Sequence, residues 1–294
     1  MSVDRRAFFK IAAAAGATAV GVEKVASARV RPLPPPDAVG LLYDATKCIG
    51  CKACMTACKE ANSLPADRDA GGLHDAPIDL SASTKNIIRL ARSDKGTSYM
   101  KSQCMHCVDP ACVNACMMGS LAKREKGIVT WKPDRCIGCR YCAVACPFQV
   151  PKFEWSSLNP KVVKCELCAH RMAFGGPACA AVCPRGAVIY GKRDELLAEA
   201  KKRIAAHPDK YVAKVYGETD GGGTQCLYLT HIPFEDLGLP TLGEESVPDL
   251  QQTIQHGLYK GFIAPAALYG ILGFVALKNR KKQKEAEGKS GGDA

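Results

Sequence analysis

Aromatic residues make up only 6% of this 294-residue chain, with two tryptophans among them. The basic residues are therefore not interleaved with aromatics into a stripe, and no nucleic-acid partner is expected. Nucleotide chemistry is missing as well. There is no dinucleotide fingerprint, and Gly221-Gly222-Gly223-Thr224 lacks the lysine of a phosphate loop. That segment reads as a turn before a strand at Gln225–Thr230. Covalent haem needs C-x-x-C-H, and no C-x-x-C here precedes a histidine. The nearest miss is Cys165, Cys168, Ala169, His170, one residue out of register. With no flavin fold and no activated nucleophile, no catalytic residue is expected, and the chain reads as a non-enzyme.

Cysteine, by contrast, is abundant. Sixteen of the 17 cysteines fall into four groups of four. The first is Cys48, Cys51, Cys54, Cys58; the second Cys104, Cys107, Cys112, Cys116; the third Cys136, Cys139, Cys142, Cys146; the fourth Cys165, Cys168, Cys179, Cys183. The first and third read C-x-x-C-x-x-C-x-x-x-C, the run that ligates 4Fe–4S clusters. Three thiolates two residues apart point inward from one tight loop and cover three iron corners of a cube. The fourth lies about one helical turn further on and ligates the neighbouring cluster. Groups therefore work in pairs, and the nested pairing is first with fourth and second with third. One set is then Cys48, Cys51, Cys54 and Cys183, and its partner Cys58, Cys165, Cys168 and Cys179. The inner pair is Cys104, Cys107, Cys112 with Cys146, and Cys116 with Cys136, Cys139, Cys142. Four 4Fe–4S clusters are the expected cofactors, with these sixteen cysteines as iron ligands. Proline follows Cys146 and Cys183 but not Cys58 or Cys116, where Lys59 and Met117 stand.

Other uses of cysteine fit less well. Structural zinc prefers two separated C-x-x-C knuckles to a crowded triplet. Disulfides suit exported proteins, but clustered triplets make poor long-range staples.

The N-terminal stretch opens Asp4-Arg5-Arg6-Ala7-Phe8-Phe9-Lys10, continues Ala-rich to Val22, and reaches Ala26-Ser27-Ala28. This is the pattern of a twin-arginine leader cut after Ala28. That route carries proteins already folded, as a chain loaded with clusters in the cytoplasm requires. Arg31-Pro32-Leu33-Pro34-Pro35-Pro36 then reads as an extended arm. Near the other end, Gly261 to Leu277 is an uncharged apolar run of 17 residues, at the bottom of the spanning range of about 17–25. Tyr259 and Lys260 can extend it at the interface, and Lys278, Arg280, Lys281 and Lys282 mark the cytoplasmic side. A single-pass protein of the inner membrane, cysteine region facing the periplasm, is expected.

The formal net charge is +11, or +9 without residues 1–28. Each cube with four thiolates carries roughly −2, so four contribute about −8 and nearly cancel the excess. The basic balance thus reads as internal counter-charge.

Strand-like runs are Asn86–Leu90, Gly127–Trp131 and Ala187–Tyr190. Leu196, Leu197, Ala200 and Ile204 form a helical stripe, closed by Lys201, Lys202 and Arg203. Residues 60–85 look like an insertion loop. Cys226, the odd cysteine, is expected to pack as a small hydrophobe. His106 lies inside a ligand loop, where it can hydrogen-bond a sulfur. His256 sits before the apolar run, where an interfacial role is expected.

The four-group array resembles the electron-transfer beta subunits of the dimethyl sulfoxide reductase and formate dehydrogenase superfamily, over roughly residues 40–235. More narrowly, the chain is similar to the HybA-type subunits of membrane-bound [NiFe]-hydrogenases. The matching stretches are Arg5-Arg6-Ala7-Phe8, Leu42-Tyr43-Asp44, Gln103-Cys104-Met105-His106-Cys107, Val215-Tyr216-Gly217-Glu218, Gly221-Gly222-Gly223-Thr224-Gln225, Ile254-Gln255-His256 and Leu258-Tyr259-Lys260-Gly261. Met117, where a proline is usual, departs from the pattern. The resemblance implies an α+β fold: two nested bacterial-ferredoxin-like 2×(4Fe–4S) domains with insertions, plus one C-terminal transmembrane helix. It implies a relay of electrons from a hydrogenase large–small subunit pair to an integral membrane quinone-reducing subunit, in contact with membrane lipid. The alternative is a beta subunit of a formate dehydrogenase or other molybdopterin oxidoreductase. The expected organisation is a signal peptide at 1–28, a Pro-rich arm at 29–40, the four-cluster region at 41–235, a linker at 236–256, the anchor at 257–278 and a cytoplasmic tail at 279–294.

Overall fold

The computed structural model describes residues 32–67, 77–155, 160–249 and 263–290. Its main sheet is built on a strand the sequence conceals. β1 (Val39–Asp44) is buried at every position. It lies between β8 (Val188–Lys192), antiparallel, and β9 (Cys226–Leu229), parallel. A strand covered on both sides carries no polar alternation, so VGLLYD shows no period of two. The Pro-rich arm therefore ends sooner than expected: Val39 and Gly40 already belong to the sheet. Gly40 is required there, because a Cβ would collide with the Gln225 carbonyl oxygen. That carbonyl accepts the Leu41 N–H at 3.1 Å.

The predicted helical stripe becomes α5 (Arg193–Ala206), directly after β8. Asp194 and Glu195 in its first turn and Arg203 in its last suit the helix dipole. Its buried Leu196 and Ala200 pack on Leu42, Leu227 and Leu229. Three antiparallel hairpins complete the strands: β2 (Ile87–Ser93) with β3 (Gly96–Ser102), β4 (Leu121–Lys123) with β5 (Val129–Trp131), and β6 (Lys152–Phe153) with β7 (Val162–Val163). Four short helices carry cysteines: α1 (Ala53–Ala61), α2 (Ala111–Asn114), α3 (Tyr141–Ala145) and α4 (Ala178–Ala181). α1 packs on α4 and α2 on α3. The helices of the first and fourth cysteine groups thus lie together, as do those of the second and third.

The two expected ferredoxin-like halves form one compact unit, Arg31–Pro248. This corrects the linker at 236–256, whose first half is part of that unit. Leu237 and Leu239 are buried against Phe234 and Tyr216, and Tyr216 Oη donates to the Pro240 carbonyl at 2.7 Å. Two apolar side chains in a polar-looking stretch are enough to hold it down.

α6 (Ile263–Ser290) belongs to the second unit. No helix among the described residues is long and apolar enough to cross a membrane, so the expected transmembrane helix is not supported. From Ile263 to the last apolar residue, Leu277, the helix rises about 22 Å, short of about 30 Å of hydrocarbon, and charged residues follow. The leader, His256, residues 68–76 of the insertion loop and the beginning of the expected anchor lie outside the described residues.

Candidate metal centres

Each cysteine group starts with the same local bend. The third residue of the opening C-x-x-C of each group is left-handed: Gly50 (φ 69°), His106 (φ 47°), Gly138 (φ 68°) and Leu167 (φ 53°). That reversal turns the second thiol back towards the first. Glycine takes it freely, whereas His106 and Leu167 are held there at about 1–3 kcal/mol each by the surrounding structure. The next bend, at Lys52 (φ 60°) and Arg140 (φ 66°), opens α1 and α3. α2 and α4 open instead from Pro110 and Pro177, each followed by Ala-Cys. The four helices carry Cys54, Cys112, Cys142 and Cys179, and lead the chain to Cys58, Cys116, Cys146 and Cys183.

The thiols gather in four sets. Cys48, Cys51, Cys54 and Cys183 line one hollow, and Cys58, Cys165, Cys168 and Cys179 line another. Cys116, Cys136, Cys139 and Cys142 line a third. Cys107 is surrounded by Cys104, Cys146 and Cys112. Each set draws its members from two of the cysteine groups. The sets also form a row. Cys54 of the first neighbours Cys179 of the second, Cys165 of the second neighbours Cys104 of the third, and Cys112 of the third neighbours Cys142 of the fourth. At the two ends Cys51 and Cys139 are exposed.

The donor set fits iron–sulfur cubes better than single ions. A tetrahedral zinc with Zn–S near 2.3 Å draws its sulfurs to about 3.8 Å from each other. Among the described residues no three His, Cys, Asp or Glu side chains close on one ion. All 17 cysteines are free thiols. Burial pushes the Cys54 thiol up to about 11, with Lys101 opposing it, and Cys112 up to about 12, with Lys164 opposing it. Burial and the neighbouring Cys116, Cys139 and Cys136 push Cys142 up to about 12. Such thiols stay protonated and inert at neutral pH until iron displaces the proton, so loading releases protons.

Residues 96–193 match the family described as a 4Fe-4S dicluster domain. The chain is 41% identical to the hydrogenase-2 operon protein HybA of Escherichia coli O157:H7, over 95% of this chain and 96% of that protein, and equally to the Shigella flexneri protein. The chain belongs to the HybA family. It is also 34% identical to the nitrate-inducible formate dehydrogenase iron-sulfur subunit of E. coli K12, over 81% of this chain and 82% of that one. This HybA-family chain is an iron–sulfur electron-transfer subunit.

The polar residues packed around the thiols are less visible in the HybA-family sequence. Cys226 is fully buried; its thiol donates to the Cys104 carbonyl at 3.3 Å and accepts from Gln103 Nε2 at 3.6 Å. It belongs to none of the four sets. His106 Nδ1 accepts the Val129 N–H at 3.0 Å, which leaves the proton on Nε2. Burial, with Lys164 and Lys123 nearby, holds the imidazole well below its ordinary range, and therefore neutral. Nε2 has no hydrogen-bond partner among the described residues. Lys101 and Lys164 are buried among the sets, and a lysine in a strand or loop gives no sequence signal of that.

Proposed function

We propose that this chain relays electrons along four 4Fe–4S clusters between a periplasmic [NiFe]-hydrogenase catalytic pair and a membrane quinone-reducing subunit. The carrying observation is the row of four thiol sets, exposed at both ends. The sixteen cysteines hold the clusters as grouped above, and each cluster supplies a site that gains and loses one electron without bond rearrangement. The protein's part is position and electrostatics. The short helices and left-handed bends hold adjacent sets side by side, so an electron crosses in short steps. Apolar residues ring both ends: Ile49 and Val182 near Cys51, and Ile137, Tyr141 and Val144 near Cys139 are exposed. Such rims suit contact with partner subunits.

Export through the twin-arginine leader brings the loaded chain to the periplasm, where Gly261–Leu277 and its basic flank hold it at the membrane. The exposed Leu268, Ile271, Leu272, Phe274 and Val275 support that attachment. The reading is tested by Cys139→Ser. Hydrogen-to-quinone flow should fall at least tenfold in membranes, while hydrogen-to-dye activity at the catalytic pair stays normal. Both activities unchanged would overturn it. Similarity to formate dehydrogenase iron-sulfur subunits favours a second reading, service in a formate dehydrogenase. Anaerobic pull-down of the tagged chain separates the two: hydrogen-dependent dye reduction supports the first, and formate-dependent reduction alone the second.

A further inference from the structure

We propose that the Lys101 ammonium is a fixed counter-charge shared by the first and second thiol sets of the row, and that it raises the reduction potentials of both clusters held there. The inference rests on the four-cluster reading above.

Lys101 sits on β3, opposite Ile88 of β2, with its side chain turned into the interior. It is fully buried, and its Nζ has no hydrogen-bond partner among the described residues. The other buried lysines are differently placed. Lys164 Nζ donates to the carbonyls of Val129 and Cys165, and Lys59 pairs with Asp67 at 2.5 Å. What faces Lys101 is sulfur: Cys179, Cys58 and Cys165 from the second set, and Cys54 from the first. One side chain thus serves both sets.

An ammonium taken out of water with nothing to pair with is too unfavourable to persist, so it either loses its proton or finds negative charge. Here the negative charge comes with the clusters: each loaded set of four thiolates carries about −2, and Lys101 faces sulfurs of two such sets. The same charge acts on electron transfer. An electron arriving on either side adds one negative unit beside the fixed cation, and the low dielectric of the interior leaves the attraction poorly screened. No proton moves and no bond changes. The reduced form is favoured on both sides, so these two sites accept electrons more readily than their thiolates alone would allow. Lys101 is a tuning residue: it touches no substrate and acts through charge.

The test is an EPR-monitored potentiometric titration of the full chain isolated in its complex, comparing wild type with Lys101→Met and Lys101→Arg. The Met variant should lower two midpoints, those of the signals altered by Cys58→Ser and Cys54→Ser. The reduced-to-oxidised ratio at a given potential should fall about tenfold, which is about 59 mV for one electron. The other two midpoints should stay in place, and the Arg variant should keep all four. Four unmoved midpoints, or four that shift together, would overturn the proposal. If the Met variant fails to retain iron, the Arg variant decides. Iron and potentials kept by Arg support the charge; iron lost equally from both makes Lys101 a matter of shape, and the proposal falls. A wild-type chain with no reducible iron–sulfur signal would instead sink the four-cluster reading beneath it.

Discussion

At the scale of single residues, composition and position carry different information. Sixteen cysteines declare themselves by spacing, because each ligand loop is local in the chain and its geometry needs fixed intervals. The seventeenth does not. Cys226 is placed in a strand by its neighbours, but its contact with the Cys104 carbonyl joins residues 122 apart, and no local pattern encodes that. Replacing it with alanine removes one buried sulfur and two weak hydrogen bonds, at a cost of about 1–2 kcal/mol. Cys226→Ala should keep the full iron content of the wild type and lower only the thermal midpoint. Loss of iron in that variant would make Cys226 a ligand. Buried charge is hidden for the same reason. Lys101 stands in a strand beside Met100 and Ser102, and only the approach of two distant cysteine helices turns it into an interior cation.

At the scale of elements, periodicity reveals what is half-exposed and conceals what is fully covered. α5 has an apolar stripe and a basic closing turn, and it is read correctly to within a few residues. β1 has no exposed face, so the central strand of the sheet is indistinguishable from an apolar linker until β8 and β9 flank it. α2, α3 and α4 are equally silent, since four or five residues are too few for a period of 3.6. One side chain ties these elements together. Asp44, at the end of β1, is fully buried and accepts hydrogen bonds from Tyr211 Oη at 2.9 Å, Arg203 of α5 at 3.1 Å and Thr46 Oγ1 at 2.7 Å. Asp44→Ala leaves Arg203 without that carboxylate and two hydroxyls without an acceptor. A loss of about 3–5 kcal/mol is expected for a broken buried pair. Denaturant titration should show it, with the loss smaller in Asp44→Asn, which keeps an acceptor oxygen. Equal stability of Asp44→Ala and wild type would mean that α5 is held by its apolar face alone.

At the scale of the whole molecule, the order of the four sets decides how the protein fails. The two sets at the ends expose Cys51 and Cys139, while Cys104 of the third set and Cys168 and Cys179 of the second are buried. A reagent that attacks iron from solution must therefore reach the ends first. On exposure to a chelator with a mild oxidant, iron should leave in two phases, about half in each, because enclosed sites open only through larger and less frequent fluctuations. EPR during the time course should lose the signals altered by Cys139→Ser and Cys51→Ser before the others. Falling pH should speed both phases. Each thiol released takes up a proton, and burial already holds Cys54, Cys112 and Cys142 protonated well above neutral, so acid favours release. A relay that lost its ends first would disconnect from both partners while the interior stayed intact. Rapid loss from the inner sets would instead mean that the row is open along its side. Electrons could then leak to solvent oxidants midway, and the exposed ends would no longer mark where partners dock.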